Sequence, residues 1–311
     1  ELIMLTDRKI VVVTRKTRLQ ELKEKYCTLS QAKFYLEHLG ESFSDYEEES
    51  TLYSNSVAQS ISLLKTVGRV QQLERSVLST YLFSPDDLVV VIGQDGLVAN
   101  TLKYLNGQPV IAVNPIPTLY DGQLLPFLEA ELGEVILQVL NQSINSKAIA
   151  MAEVNTNIGQ TLLAVNDLFI GPKTHTSARY MMSVDNHNEE QSSSGVIIST
   201  GLGSTGWFRS IITGASGIMD KPNNHHLQNG FSWDSEFLYY SVREPFPSAN
   251  TKCNKVFGKI TNHSKFSMSS KMAENGVIFS DGIEQDCLEF NAGTVANIYI
   301  SSRVGNLITP H

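Results

Sequence analysis

Leu88 to Ile92 is an unbroken run of five apolar residues, three of them valine, closed at once by Gly93, Gln94, Asp95 and Gly96. A strand with one wet face alternates apolar and polar residues. An uninterrupted β-branched run is the pattern of a strand covered on both faces, as in a parallel sheet between helix layers. The turn residues Ser84, Pro85, Asp86 and Asp87 introduce it. Its surroundings repeat the theme. Lys9 to Thr14 carries Ile10, Val11, Val12 and Val13, and Ser30 to Gly40 then places Ala32, Tyr35, Leu36 and Leu39 at helical spacing, with Gly40 as a stop. A further helix is expected where Val57, Ile61 and Leu64 precede Gly68, another from Leu97 to Leu105 with a stop at Asn106 and Gly107, and a strand from Val110 to Val113. The acidic stretch Glu41, Asp45, Glu47, Glu48 and Glu49 reads as an exposed loop. Strands alternating with helices make this an α/β layer domain.

After an amphipathic stretch from Phe127 to Leu140, expected to be helical, the pattern changes to short strands punctuated by Gly, Asn and Ser. They are Ala148 to Val154, Thr161 to Ile170, Tyr180 to Val184, Val196 to Ser199, Phe237 to Val242, Val256 to Ile260, Val277 to Phe279 and Val295 to Ile300. Asp185 to Ser194 and Asp220 to Gly230 read as polar loops. The expected organisation is an α/β domain over residues 1–125 and a β-rich, mainly antiparallel domain over 126–311, the boundary falling between 115 and 145.

The length of 311 residues exceeds one typical core of roughly 150, which supports two domains. No apolar run approaches the about 18 residues that a bilayer span needs, and the opening residues Glu1 to Met4 lead straight into charge, so neither a membrane span nor a secretion signal is expected. A net charge of -8 argues against nucleic acid as a partner. The basic residues near the start, Arg8, Lys9, Arg15, Lys16, Arg18, Lys23 and Lys25, read as a solvated face. Cys27, Cys253 and Cys287 are odd in number and widely spaced, which suits neither a disulfide framework nor a zinc site and points to a reducing interior, cytoplasm or organelle matrix.

Four short segments carry the chemistry. Gly93, Gln94, Asp95 and Gly96 sit at a strand-to-helix turn, where backbone amides and a helix N-terminus suit a phosphate and Asp95 is placed to accept a hydroxyl proton. Ser199 to Trp207 holds three glycines and four hydroxyl residues after another apolar strand, without the lysine of a Walker loop or the fingerprint of a dinucleotide-binding turn. Asn166 and Asp167 interrupt an apolar run and need hydrogen-bond partners or a ligand. Ser280, Asp281 and Gly282 follow Val277 to Phe279. Each also has a plain structural reading: a tight turn, a flexible loop, a bulge or turn joining two strands, and a hairpin. His225 and His226 are adjacent and offer no metal site, and His175 and His187 have no placed nucleophile beside them.

Taken in order, these segments resemble the NAD kinase family. Gly93-Gln94-Asp95-Gly96 matches its glycine-glycine-aspartate-glycine motif, Asn166-Asp167 its asparagine-glutamate pair, Thr200 to Trp207 its threonine- and glycine-rich segment, and Asp281-Gly282 its late aspartate-glycine. The likeness is closest to the mitochondrial type and its bacterial relatives, through Val113 to Pro117 with Asp121-Gly122, Ser193 to Gly195, Ser241 to Pro245 and Glu289 to Gly293. The resemblance implies a Rossmann-like N-terminal α/β domain, a β-rich C-terminal domain and a homodimer or higher homo-oligomer. It implies phosphoryl transfer from ATP, arriving with Mg2+, to the 2′-hydroxyl of the adenosine ribose of NAD, giving NADP. Asp95 would be catalytic, and Gly93, Gln94 and Gly96 would face phosphates. Asn166 and Asp167 would hold the NAD ribose or adenine, with Thr200, Gly203, Ser204, Thr205, Trp207 and Asp281 completing the nucleotide site; no resident metal ligand is implied. Gln94 and Leu97 stand where the family has glycine and threonine. Two alternatives therefore stay open: a module that binds NAD without placing ATP, and a kinase of a sugar or lipid hydroxyl.

Overall fold

The computed structural model describes residues 5–220 and 226–310. Contacts gather them into two compact units, one running to Lys147 and including the C-terminal stretch from Asn306, the other Ala148–Gly305. The first unit runs β1 (Lys9–Thr14), α1 (Arg18–Tyr26), α2 (Leu29–His38), α3 (Phe43–Val67), β2 (Arg69–Glu74), β3 (Leu88–Ile92), α4 (Asp95–Leu102), β4 (Pro109–Asn114), β5 (Phe127–Leu128) and α5 (Leu132–Leu140). Its strands lie in the order β2-β1-β3-β4, all parallel, with β5 and, near the C-terminus, Asn306 and Leu307 also pairing with β4. Ile10 to Val13 and Leu88 to Ile92 are wholly inaccessible to solvent, as unbroken apolar runs require. On one face Ile10, Val12, Leu88, Val90 and Ile92 pack against Tyr53, Val57 and Leu64 of α3 and Val135 and Ile136 of α5.

The second unit runs β6 (Asn145–Thr156), β7 (Thr161–Ala164), β8 (Asp167–Pro172), β9 (Ala178–Val184), β10 (His187–Ser193), β11 (Val196–Ser199), α6 (Trp207–Ile218), β12 (Phe237–Val242), β13 (Phe257–Thr261), β14 (Phe266–Ser270), β15 (Gly276–Ser280), β16 (Ile283–Glu289) and β17 (Val295–Thr309), whose last residues belong to the first unit. One sheet has the antiparallel order β13-β12-β11-β8-β15-β16. The other strands of the unit pair as β10-β9-β14-β17, with β6 between β17 and β7. The apolar core between them takes Leu168, Ile170, Ile198, Tyr240 and Ile278 from the first set and Val154, Tyr180, Met182, Met268 and Ile298 from the second, while Phe169, Ile197 and Val277 belong to a smaller cluster. The expected α/β and β-rich architecture is therefore present. Among the described residues no helix is long and apolar enough to cross a membrane.

Several local expectations need correction. The run read as one strand from Thr161 to Ile170 is two, broken at Val165 and Asn166. Asp185 to Ser194 is not a loop: Asp185 and Asn186 both have positive φ, 48° and 68°, and turn β9 directly into β10. Phe127 and Leu128 pair with β4, and the helix expected from Phe127 begins only at Leu132. Of the loop expected at 220–230, residues 221–225, with His225, lie outside the described residues.

The acidic stretch after Gly40 is also no loop. From Phe43 onward it forms the first turns of α3, and Glu49 is buried. Its carboxylate accepts hydrogen bonds from Arg15 Nη2 at 3.0 Å, Arg18 Nε at 2.5 Å and the Tyr120 hydroxyl at 2.9 Å. Burial pushes the Glu49 carboxyl up, but the hydrogen bonds from Arg18, Tyr120 and Arg15 outweigh it and hold the group below its ordinary value. Glu47 and Glu48, by contrast, face solvent. Glu49→Ala should cost about 2–3 kcal/mol of stability in urea titration, somewhat below the about 3–5 kcal/mol for breaking a fully buried pair because Arg18 is partly exposed. Glu48→Ala should stay within about 0.5 kcal/mol. The advantage of wild type over Glu49→Gln should be full at neutral pH and disappear as the pH falls through the depressed value.

Candidate active site

In the first unit β1 is followed by β2 on one side, while β3 is followed by β4 on the other. Connections that leave two adjacent parallel strands in opposite directions open a crevice beyond their carboxyl ends, the usual ligand position in such sheets. Thr14 and Arg15 stand at the end of β1, and Gly93, Gln94 and Asp95 at the end of β3. Gly93 is buried, and a Cβ there would lie 2.8 Å from the Leu97 side chain, so the turn into α4 packs closely without one. Asp95 is the first residue of α4 and half-buried. Its Oδ1 accepts the Leu124 amide at 2.8 Å and its Oδ2 the Gln123 amide at 3.2 Å.

Those amides belong to the loop after β4, which Asn114 shapes by accepting from the Ile116 amide at 3.1 Å and donating to the Tyr120 carbonyl at 3.0 Å. The carboxylate of Asp95 is thereby fixed in direction. Two amides use about half of its lone-pair positions and leave the rest for a hydroxyl. No side chain caps α4, and Gln94 and Gly96 are exposed at its start, which leaves the helix N-terminus open to an anion.

A cavity of about 970 Å³ adjoins the end of β1 in this unit, with Arg15, Lys16, Lys23 and Lys65 among its charged walls and Val57, Ala58 and Ile61 of α3 as its apolar side. Arg15, Lys16 and Lys23, read from sequence as a solvated face, therefore border a hollow. The Arg15 guanidinium lies 5.3 Å from the Tyr53 ring and 5.6 Å from the Tyr120 ring, and its Nε is buried without a partner. The signal that was available is position: basic residues directly beyond the strand next to β3.

In the second unit only Val165 and Asn166 separate β7 from β8. Asp281 and Gly282, with φ of +56° and +71°, form the two-residue turn between β15 and β16. The Asp281 carboxylate accepts the amides of Val165 at 3.1 Å, Asn166 at 2.6 Å and Asp167 at 3.3 Å. Thr200 completes the hold. Its amide donates to the Asn166 carbonyl at 3.0 Å, its hydroxyl donates to the Val165 carbonyl at 2.5 Å, and it accepts the Gly203 amide at 3.2 Å. A Cβ on Gly203 would lie 2.2 Å from the Asn166 carbonyl oxygen, so nothing larger than hydrogen fits.

Asn166, Asp167, Thr200, Gly203 and Asp281 are thus brought together. Ser204 sits behind them, fully buried, its hydroxyl donating to the Gly201 carbonyl at 2.6 Å and accepting the Phe231 amide at 3.0 Å. Thr205 is exposed, and Trp207, at the start of α6, stacks on Phe169 with 5.8 Å between ring centres, with Arg243 5.4 Å from its ring. Asp167 Oδ1 is buried and unpartnered. Burial first, and the Asp281 charge second, push its carboxyl up to about 7, against a hydrogen bond from Ser199. A buried acceptor without a donor suits a ligand that brings one, such as a ribose hydroxyl or an adenine amine. Among the described residues no three His, Cys, Asp or Glu side chains gather as a metal site.

No family model matches the chain. It is 26% identical to NAD kinase 2, mitochondrial, of Rattus norvegicus, across 94% of this chain and 85% of that protein. The Homo sapiens protein of the same name is likewise 26% identical, across 94% and 82%. Yeast NADH kinase complexed with NADH superposes with a TM-score of 0.60 at 14% identity, covering 98% of this chain and 84% of that one. An NAD kinase from Archaeoglobus fulgidus in complex with ATP gives 0.56 at 14%, covering 98% and 94%. At that identity the two structures speak for the fold, which agrees with the architecture described above.

Asp281→Ala should strand three amides and cost about 3 kcal/mol in urea titration. Asp167 carries a second expectation. Because its folded value lies above the unfolded one, its stabilising contribution is complete in acid and lost as the pH rises to about 7. Asp167→Asn should therefore gain stability relative to wild type between pH 4 and pH 8, read as unfolding midpoints across that range.

Proposed function

We propose that this chain, a relative of the NAD kinases in sequence and in fold, transfers a phosphoryl group from ATP to the 2′-hydroxyl of the adenosine ribose of NAD, giving NADP. The observation that carries the reading is Asp95, a carboxylate held in one direction by two backbone amides at the head of an uncapped helix, beside the crevice of a parallel sheet. A carboxylate so placed aligns an acceptor hydroxyl and takes its proton as the oxygen attacks. Positioning and charge stabilisation do most of the work in phosphoryl transfer. The first unit offers the open N-terminus of α4 and a cavity of about 970 Å³, in the range of small-molecule sites, where Arg15, Lys16, Lys23 and Lys65 outnumber Glu24 and Glu74. Magnesium arriving with ATP would offset part of the phosphate charge beside these basic side chains.

In the second unit Asn166 and Asp167 are the acceptor-nucleotide residues in this reading, the unpaired Asp167 Oδ1 taking a donor from ribose or adenine. Asp281, Thr200 and Gly203 hold those two in place. Thr205 and Trp207 lie at the rim, while Ser204 supports the segment from inside. We infer a homodimer or higher homo-oligomer working in the cytoplasm or an organelle matrix. The free Cys27, Cys253 and Cys287 and the mitochondrial relatives support that setting, and light scattering of the purified chain tests the assembly.

The decisive assay is purified protein with NAD, ATP and Mg2+, reading NADP with an NADP-specific dehydrogenase. NADP should form, and Asp95→Asn should lower kcat by about 10²–10⁴-fold with circular dichroism unchanged. NAD binding in calorimetry without NADP at any ATP concentration would instead establish a binding module.

A further inference from the structure

The ladder between β1 and β3 ends at Val13 and Val91, where the two strands part. Beyond it, one side chain bridges them. Tyr53, on the inner face of α3 and 3% exposed, accepts the Arg15 amide hydrogen on its hydroxyl at 2.9 Å and donates that hydroxyl's proton to the Ile92 carbonyl at 2.8 Å. Arg15 lies just past β1, and the Ile92 carbonyl immediately precedes Gly93. A tyrosine hydroxyl is both donor and acceptor, so a single oxygen satisfies one backbone group from each strand end and sets their separation. Burial pushes the Tyr53 hydroxyl up to about 12, so it remains a proton donor at physiological pH.

The same side chain touches the cavity. Tyr53 forms part of its wall, and its ring lies 5.3 Å from the Arg15 guanidinium. Glu49, one turn earlier on α3, grips that guanidinium at 3.0 Å. The backbone before Gly93, the position of Arg15 and the width of the crevice are therefore all set by one face of α3.

We propose that Tyr53 is a positioning residue for the phosphate donor: its hydroxyl holds the Arg15 and Gly93 segments at the spacing that the ATP phosphates require. The proposal rests on the kinase reading above and adds to it a residue that neither touches the reacting atoms nor belongs to the glycine-rich turns.

Tyr53→Phe keeps the ring and removes both hydrogen bonds. Its KM for ATP should rise about tenfold while its KM for NAD stays within twofold. Leu64→Val, a buried change on the same helix away from the cavity, should lower the melting temperature without moving either constant. A Tyr53→Phe variant that loses only melting temperature, or whose two KM values move together, overturns the proposal. Should wild type make no NADP, the kinase reading fails separately, and calorimetry with ATP alone decides this one. Tenfold weaker binding to Tyr53→Phe supports the Tyr53 role, and equal or absent binding to wild type and variant overturns it. In wild type, ATP and not NAD should slow hydrogen exchange at the Arg15 amide. An Arg15 amide indifferent to ATP refutes the role even if the variant does not fold.

Discussion

Two neighbouring parallel strands that run together and then part are the constraint on which the first unit depends. β1 and β3 are buried on both faces, so neither can shift register without placing valines against a different layer. That rigidity fixes where each strand releases its chain. Polar and charged residues stand just past both release points: Arg15 and Lys16 after β1, and Gln94 and Asp95, behind Gly93, after β3. α3 spans both exits, using Glu49 and Tyr53 on adjoining turns to tie guanidinium, backbone and tyrosine ring into one arrangement.

The second unit solves a different problem with the same economy of parts. Leaving two residues between β7 and β8 exposes three consecutive amides that no neighbouring strand can reach. Asp281 accepts them all from a hairpin turn, and Thr200 takes the adjacent carbonyls. Burial raises the proton affinity of the neighbouring carboxyl, Asp167, and the Asp281 carboxylate used in this way adds to it. The segment with a turn-like sequence is therefore the scaffold, and the interrupted strand presents the unpaired oxygen.

Much of this was legible in sequence wherever a signal was local. Leu88 to Ile92, the glycine-rich turn directly after it and the strand from Lys9 to Thr14 are written in consecutive residues, and the Asp281-Gly282 hairpin in a dipeptide. The features that escaped depended on distant partners. Glu49 reads as one more solvated acid until Arg15 and Arg18 are seen around it. β10 carries His187, Asn188, Glu189, Glu190 and Gln191, and owes its strand form to backbone pairing with β9 rather than to apolar alternation. The break between β7 and β8 is marked in sequence by Asn166 and Asp167, which read as a bulge or a turn joining two strands, but what holds it, Asp281, lies more than a hundred residues on. The basic residues of the first unit were visible as charge, but the hollow they border appears only once α1 and α3 are folded over β1.

The hold on Val165 to Asp167 has a consequence for recognition. Its amides and carbonyls are satisfied by the protein itself, with Gly203 closing the space behind the Asn166 carbonyl. Under the proposed function, a guest docking there would meet a surface already held in shape, so little conformational entropy would be lost and the contact energy would be retained as affinity.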